Sequence, residues 1–220
     1  YARALTTSDY PVDYVTPFGD DPFSARQRAF FAPSGIGTAQ SPIYEGTRPG
    51  LYAITLEGAE RSFTYWRSDS AARRLAADVD SLSASLSGRD LVYFSGVALA
   101  ILSPQDRQAL LSAIRDARAR GSRIAFDPNF RPRLWETADI ARATVCAALR
   151  ISDIALPTFS DEVSLFGDSS PESTAIRLAE LGVGGIVLRN GAEPAPVVDG
   201  HHRSWLPAAP ARAVRRARCA

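Results

Sequence analysis

From residue 88 onward the chain alternates short strand-like runs with helix-like stretches, and this rhythm restricts the fold more than any other feature. The strand-like runs fall at 91–94, 123–127, 153–156 and 185–189. Between them lie predicted helices at 105–120, 137–149, 161–165 and 171–181; the first carries Leu110, Leu111 and Ile114 on one face and Arg and Asp on the other. Strands and helices alternating at this spacing build βαβ units, hence an α/β fold around a parallel sheet. Right-handed crossovers bring the carboxyl ends of all the strands to one edge, where open α/β sheets bind ligands. That edge collects Ser95-Gly96, Asp127-Pro128-Asn129, residues 157–162 and Asn190-Gly191.

The segment Asp127-Pro128-Asn129-Phe130-Arg131-Pro132-Arg133-Leu134-Trp135 follows the run 122–126 and is the richest in chemistry. Within seven residues it offers a carboxylate, an amide and two guanidinium groups. Pro128 and Pro132 each fix φ, remove a backbone donor and bias the preceding residue away from helix, so the loop is stiff. Guanidinium groups held in fixed directions suit bidentate capture of a carboxylate or phosphate. The plain alternative is a solvated loop in which Trp135 anchors the core.

Upstream, the chain reads as a helix end at 1–5, a strand at 12–16, and a helix from Pro22 to about Phe31 capped by Asp21. Residues 51–56 and 61–67 flank Glu57-Gly58-Ala59-Glu60 and read as a β-hairpin. A lone hairpin is marginal in water, so it must lie on another surface, such as a ligand or a second subunit.

The 220 residues are 45% hydrophobic and 22% charged, enough for one sizeable core. No run approaches the roughly 18 apolar residues of a membrane span, and no signal-peptide pattern is present. Cys146 and Cys219 have neither metal-ligand spacing nor the number for a disulfide framework, so a reducing, cytoplasmic setting is expected. His201 and His202 sit in a predicted turn and read as surface residues. The chain has no Met, begins at Tyr1, and all its basic residues are Arg, which reads as a fragment from a coding sequence rich in G and C. Residues 201–220 hold five Arg and no acid, leaving 20 basic and 24 acidic side chains elsewhere. With no aromatic interleaving beyond Trp205, that tail gives no case for a nucleic-acid or membrane partner. No Gly-x-Gly-x-x-Gly follows a strand, which disfavours a nicotinamide-dependent enzyme.

Taken in order, Phe18-Gly19-Asp20-Asp21-Pro22-Phe23-Ser24, Arg48-Pro49-Gly50-Leu51-Tyr52, Phe63-Thr64-Tyr65-Trp66-Arg67, the 127–135 loop and Leu156-Pro157-Thr158-Phe159-Ser160-Asp161-Glu162 resemble the ribokinase-like (PfkB) sugar kinases, within them the 2-keto-3-deoxygluconate kinases. The resemblance covers most of residues 1–207. It implies a ribokinase-like parallel sheet with flanking helices and a small β-hairpin lid at about 48–67, and transfer of the γ-phosphate of ATP, with Mg²⁺, to a sugar acid. It implies that Tyr52, Tyr65 and Arg67 on the lid face the substrate, and that Asn129 and Arg131 line the floor of the same pocket. It implies that Glu162 holds the metal through water, and that Arg189 and Gly191 begin the nucleotide site. A homo-oligomer through the lid hairpin is a further expectation. The residue types alone leave other roles open: hairpin packing for Tyr52 and Tyr65, a first-turn acid favoured by the helix dipole for Glu162, and a strand-end charge for Arg189.

The sequence also departs from the resemblance. The early strand and Gly-rich substrate segment of such kinases would precede Tyr1, and their Gly-Ala-Gly-Asp loop, which supplies an anion hole and the base, would follow residue 207. Residues 208–220 read instead as an irregular Arg-rich tail, expected to be out of frame from about 211. The expectation is therefore a domain truncated at both ends, inactive as it stands, with uncovered sheet surface. Its alternatives are a non-catalytic remnant that binds sugar or nucleotide, and a kinase for a neutral sugar such as fructose or ribose.

Overall fold

In the computed structural model, residues 2–7, 9–57, 60–200 and 202–208 are described. In chain order the elements are α1 (Ala2–Leu5), β1 (Val12–Asp13), β2 (Phe18–Gly19), α2 (Pro22–Phe31), β3 (Ile36–Gly37), β4 (Ile43–Tyr44), β5 (Leu51–Glu57) and β6 (Glu60–Trp66). They continue with α3 (Val79–Leu86), β7 (Leu91–Ser95), α4 (Gly96–Ile101), α5 (Pro104–Ala119), β8 (Arg123–Asp127), α6 (Ala138–Arg150) and β9 (Ile154–Ala155). The last are α7 (Phe159–Phe166), α8 (Pro171–Glu180), β10 (Gly185–Val187), β11 (Ala195–Asp199) and β12 (His202–Leu206).

The main sheet has the order β12-β11-β10-β9-β8-β7. Strands β7 to β10 are parallel, as the alternating pattern requires, with Ser95 beside Asp127 at the end of the β7–β8 ladder. Strands β11 and β12 are antiparallel, so the sheet is mixed. The pair β11–β12 is not legible in the sequence: Pro194 and Pro196 interrupt the alternation, and the turn is closed by Gly200 at φ 57°. The predicted strand at 12–16 is only two residues long and pairs in parallel with β3.

The helices begin at sequence-encoded caps. The Ser103 hydroxyl accepts from the Asp106 N–H ahead of α5, and the Thr137 hydroxyl from the Ile140 N–H ahead of α6. Ser170 and Ser173 close a capping box on α8, and Gly167, at φ 76°, ends α7.

One hydrophobic cluster holds the domain together. Val92 and Phe94 of β7, Ile124 and Phe126 of β8, Ala155 and Ile186 meet Leu110 and Ile114 of α5, Val145 and Leu149 of α6 and Leu178 of α8. The alternate strand residues fare differently. Leu91 and Tyr93 are 56% and 57% exposed, and Ile154, Val187 and Val197 are half-buried outside that cluster. Among the described residues one face of the sheet is thus packed throughout, while the other is buried at the central strand β8, where Ala125 and Asp127 are 5% and 6% exposed, and more open towards the outer strands.

Strands β5 and β6 form the predicted hairpin, with Tyr52 opposite Tyr65 and Ile54 opposite Phe63. It carries a row of exposed apolar side chains: Leu51, Tyr52, Ile54, Leu56, Phe63, Tyr65 and Trp66.

Candidate active site

Three chain segments are knitted together at the carboxyl edge of the parallel strands. The Leu156 N–H donates to the Phe126 carbonyl at 2.9 Å, the Arg189 N–H to the Pro157 carbonyl at 2.9 Å, and the Phe159 N–H to the Arg189 carbonyl at 2.8 Å. These backbone bonds place Asp127, Asp161 and Arg189 side by side.

Asp127 closes β8 and is buried, at 6% exposure. Both its oxygens accept from Arg189 Nη2 at 2.9 Å, and that nitrogen also donates to the Leu156 carbonyl at 2.9 Å. Burial raises the Asp127 carboxyl above its usual range, although the Arg189 charge and hydrogen bonds pull against it. Burial, and then the Asp127 charge, raises the Tyr93 phenol beside it.

Asp127 Oδ1 also accepts from the Asn129 N–H at 3.1 Å, an Asx turn that holds Asn129 at φ 39°. Asn is one of the few residues that tolerate this left-handed conformation. The Asn129 side-chain amide donates to the Ser95 hydroxyl at 3.3 Å. The neighbouring Gly96 is pressed against the Pro128 carbonyl, and a Cβ there would collide with it.

Arg131 is anchored in the same way as Arg189. Its Nη1 donates to the Phe130 carbonyl at 2.6 Å and to Asp161 Oδ2 at 3.3 Å. Each guanidinium is therefore held through one nitrogen, and both side chains are about half exposed. Among the described residues, the other nitrogens of both forks have no hydrogen-bond partner. Gly191, at φ 63°, follows in a turn closed by the Glu193 N–H on the Asn190 carbonyl, and nothing crowds the space beside it.

Glu162, the acid singled out in the sequence, does not face this edge. It is 1% exposed, and its Oε2 accepts from Arg177 Nη2 at 2.7 Å. Arg177 also binds Asp168, at 2.6 Å from Nη2, and its guanidinium lies 3.9 Å over the Phe166 ring. Burial raises Glu162 to about 7 against the pull of Arg177. Residues 161 and 162 are consecutive on α7, about 100° apart around its axis. One turns to Arg131 and the other into the ion pair with α8. Asp161 is the acid at the site, and nothing in the sequence alone separated the two.

The hairpin residues gather in a neighbouring cleft of about 210 Å³, where Tyr52, Tyr65 and Arg67 face Val97 and Ile101 of α4. The Arg67 guanidinium lies 4.1 Å over the Tyr65 ring. Asn129 and Arg131 are not among the residues lining this cleft, so Arg67 and Arg131 do not share one cavity as the sequence led us to expect. The reason is α4. The hairpin leans on its Val97 and Ile101, while the 127–131 loop abuts its start at Ser95 and Gly96. A shallower depression of about 590 Å³ at the opposite edge has Arg118 closed onto Asp153 at 2.7 Å.

The comparisons agree with this architecture. A family profile described as "pfkB family carbohydrate kinase" matches residues 1–215. The 2-dehydro-3-deoxygluconokinase of Dickeya dadantii (strain 3937) is 37% identical over 195 residues, 87% of this chain and 63% of that protein. The chain thus spans less than two thirds of that relative's length. The crystal structure of a PfkB protein from Polaromonas sp. JS666 superposes with a TM-score of 0.82 at 26% identity, covering 95% of this chain and 70% of that one. A putative ribokinase II from E. coli in complex with ATP and Mg²⁺ superposes with a TM-score of 0.79 at 21% identity, covering 93% and 64%, a likeness of fold. The sheet, the order of its strands and the profile match lead to one conclusion: the chain belongs to the pfkB family of carbohydrate kinases.

Proposed function

We propose that this chain binds a sugar acid, 2-dehydro-3-deoxygluconate (2-keto-3-deoxygluconate), together with ATP, as the substrate-gathering part of a kinase for that acid. The observation that carries the reading is the pair of half-tied guanidinium forks, Arg131 and Arg189, at one sheet edge beside the Arg67 cleft. Three cations within one region suit ligands that bring a carboxylate and phosphates. Arg67 takes the carboxylate end of the sugar acid in the hairpin cleft, Tyr52 and Tyr65 cover its apolar face, and Asn129 and Arg131, on the other side of α4, take oxygens towards its far end. Arg189 and the open turn at Gly191 take phosphate oxygens.

Mg²⁺ retains several waters and needs one or two carboxylates besides phosphate. Asp161 fits that demand: its carboxylate is reachable by solvent and bonded once, to Arg131. Glu162 does not, since its oxygen is committed to Arg177 in the core. We therefore move the metal-associated role from Glu162 to Asp161, acting through water. When bound, the ion neutralises charge on the phosphates. The protein's own contribution is alignment of two substrates and exclusion of water beneath the hairpin.

Both carboxylates at the edge sit in ion pairs, Asp161 with Arg131 and Asp127 with Arg189, so a substrate hydroxyl competes with a guanidinium for either. The chain by itself is accordingly proposed to bind both ligands without turning them over. The exposed apolar hairpin is proposed to pack against a second copy. No helix among the described residues is long and apolar enough to cross a membrane. The two-cysteine composition supports placement in the reducing cytoplasm.

Calorimetry tests the reading, titrating the chain with 2-dehydro-3-deoxygluconate, with fructose, and with ATP and Mg²⁺. The expected result is binding of the acid and of ATP and weaker binding of fructose. Preference for fructose would redirect the proposal to a neutral sugar, and a coupled assay for ADP measures whether turnover occurs.

A further inference from the structure

We infer that Asp127 is a positioning residue: one buried carboxylate ties the sugar-acid side of the site to the nucleotide side through two separate arms. The inference rests on the kinase reading above. One arm is local. Oδ1 accepts from the Asn129 N–H at 3.1 Å and so holds the left-handed turn that aims the Asn129 amide at Ser95 and sends the chain on to Arg131. The other arm crosses the fold. Both oxygens take Arg189 Nη2 at 2.9 Å, a residue 62 positions away in sequence. Arg189 Nη2 is fixed a third time by the Leu156 carbonyl, so among the described residues Nε and Nη1 are the part of the fork left for a ligand.

The side chain is suited to this work because it is buried and its partner is not. The Asp127 side chain is 8% exposed and that of Arg189 53%. A carboxylate held at a strand end does not drift, whereas a half-exposed arginine without it samples many rotamers and loses that freedom on binding. The Tyr93 hydroxyl and the Asp161 carboxylate are the other titratable groups beside it. Neither duplicates its bond to the Asn129 N–H or its grip on Arg189 among the described residues. A ligand bound on one arm therefore meets a site whose other arm is already set.

The test is a pair of double-mutant cycles on the full chain, with 2-dehydro-3-deoxygluconate and ATP titrated separately by calorimetry. Asp127→Ala, which removes both acceptors, is expected to weaken both ligands, by about tenfold or more each. In an Arg189→Gln background the same change is expected to cost no further ATP affinity yet still weaken the sugar acid. In an Asn129→Ala background it is expected to cost no further sugar-acid affinity yet still weaken ATP. Asp127→Ser provides a second variant. Its hydroxyl still accepts from the Asn129 N–H but falls short of Arg189, so only ATP affinity falls. Losses that add independently in both backgrounds, or equal loss of both ligands in Asp127→Ser, would overturn the positioning role and leave the kinase reading standing. Failure of the unaltered chain to bind either ligand overturns both.

Discussion

Glu162 and Arg177 meet 2.7 Å apart across α7 and α8, with the carboxylate 1% exposed and Asp168 completing the group. A buried charge with one dominant partner is costly to strand. Arg177→Met is expected to lower unfolding free energy by about 3–5 kcal/mol. Urea denaturation followed by circular dichroism measures it, and a loss below about 1 kcal/mol would show that water or relaxation compensates.

The same carboxylate gives the stability a pH dependence. Burial raises Glu162 from 4.5 to about 7 in the folded chain. Between those values the folded state holds a proton that the unfolded state has released, so this contribution is full below about pH 4.5 and is lost as pH rises through about 7. The loss is on the order of 3 kcal/mol. Thermal unfolding from pH 5 to 8 is expected to show this decline in the native chain and a flatter profile in Glu162→Gln; parallel profiles would exclude Glu162 as its source.

Asp161 and Glu162 separate by function in the same way that they separate in space. Asp161→Asn is expected to weaken ATP binding in Mg²⁺ severalfold with little change in the melting temperature. Glu162→Gln is expected to leave ATP binding in Mg²⁺ within about twofold. The reverse result in calorimetry would return the metal-associated role to Glu162.

Gly96 has no room for a side chain. Gly96→Ala drives a methyl into the Pro128 carbonyl and must displace either the start of α4 or the 127–131 loop. A destabilisation of about 1–3 kcal/mol is expected, with weaker sugar-acid binding. Denaturation and calorimetry on the same preparation report the two effects, and an unchanged sugar-acid affinity would uncouple the loop from the ligand.

Arg67 and Tyr65 form a cation–π pair at the mouth of the hairpin cleft. Arg67→Gln is expected to weaken the sugar acid by about tenfold or more and fructose by less than about threefold, since only the former brings a carboxylate. Equal losses for both sugars would remove Arg67 from acid recognition.

The sequence made the parallel core legible because its signals are local. Alternation of apolar runs marked β7, β8 and β10, and Asp21 with Pro22 marked the start of α2. It also drew attention to 127–135, where two prolines and a strand end coincide. What it hid depends on three-dimensional partners. Nothing in Asp161-Glu162 tells which residue faces α8, because that is decided by Arg177 and Asp168, both outside α7. Asp127 was visible as a carboxylate at a strand end, but its hold on Arg189 follows only once the four parallel strands are in register. The separation of the hairpin cleft from the loop depends on α4, a six-residue helix too short to announce itself by periodicity.

A sheet packed throughout on one side alone behaves as a shelf rather than a wall. Its other side sets the apolar Leu91, Tyr93, Val187 and Val197 beside the charges of Arg123, Asp127 and Asp199. Shelves of that kind fill. Whatever comes to rest on that surface has to match apolar side chains and charges together.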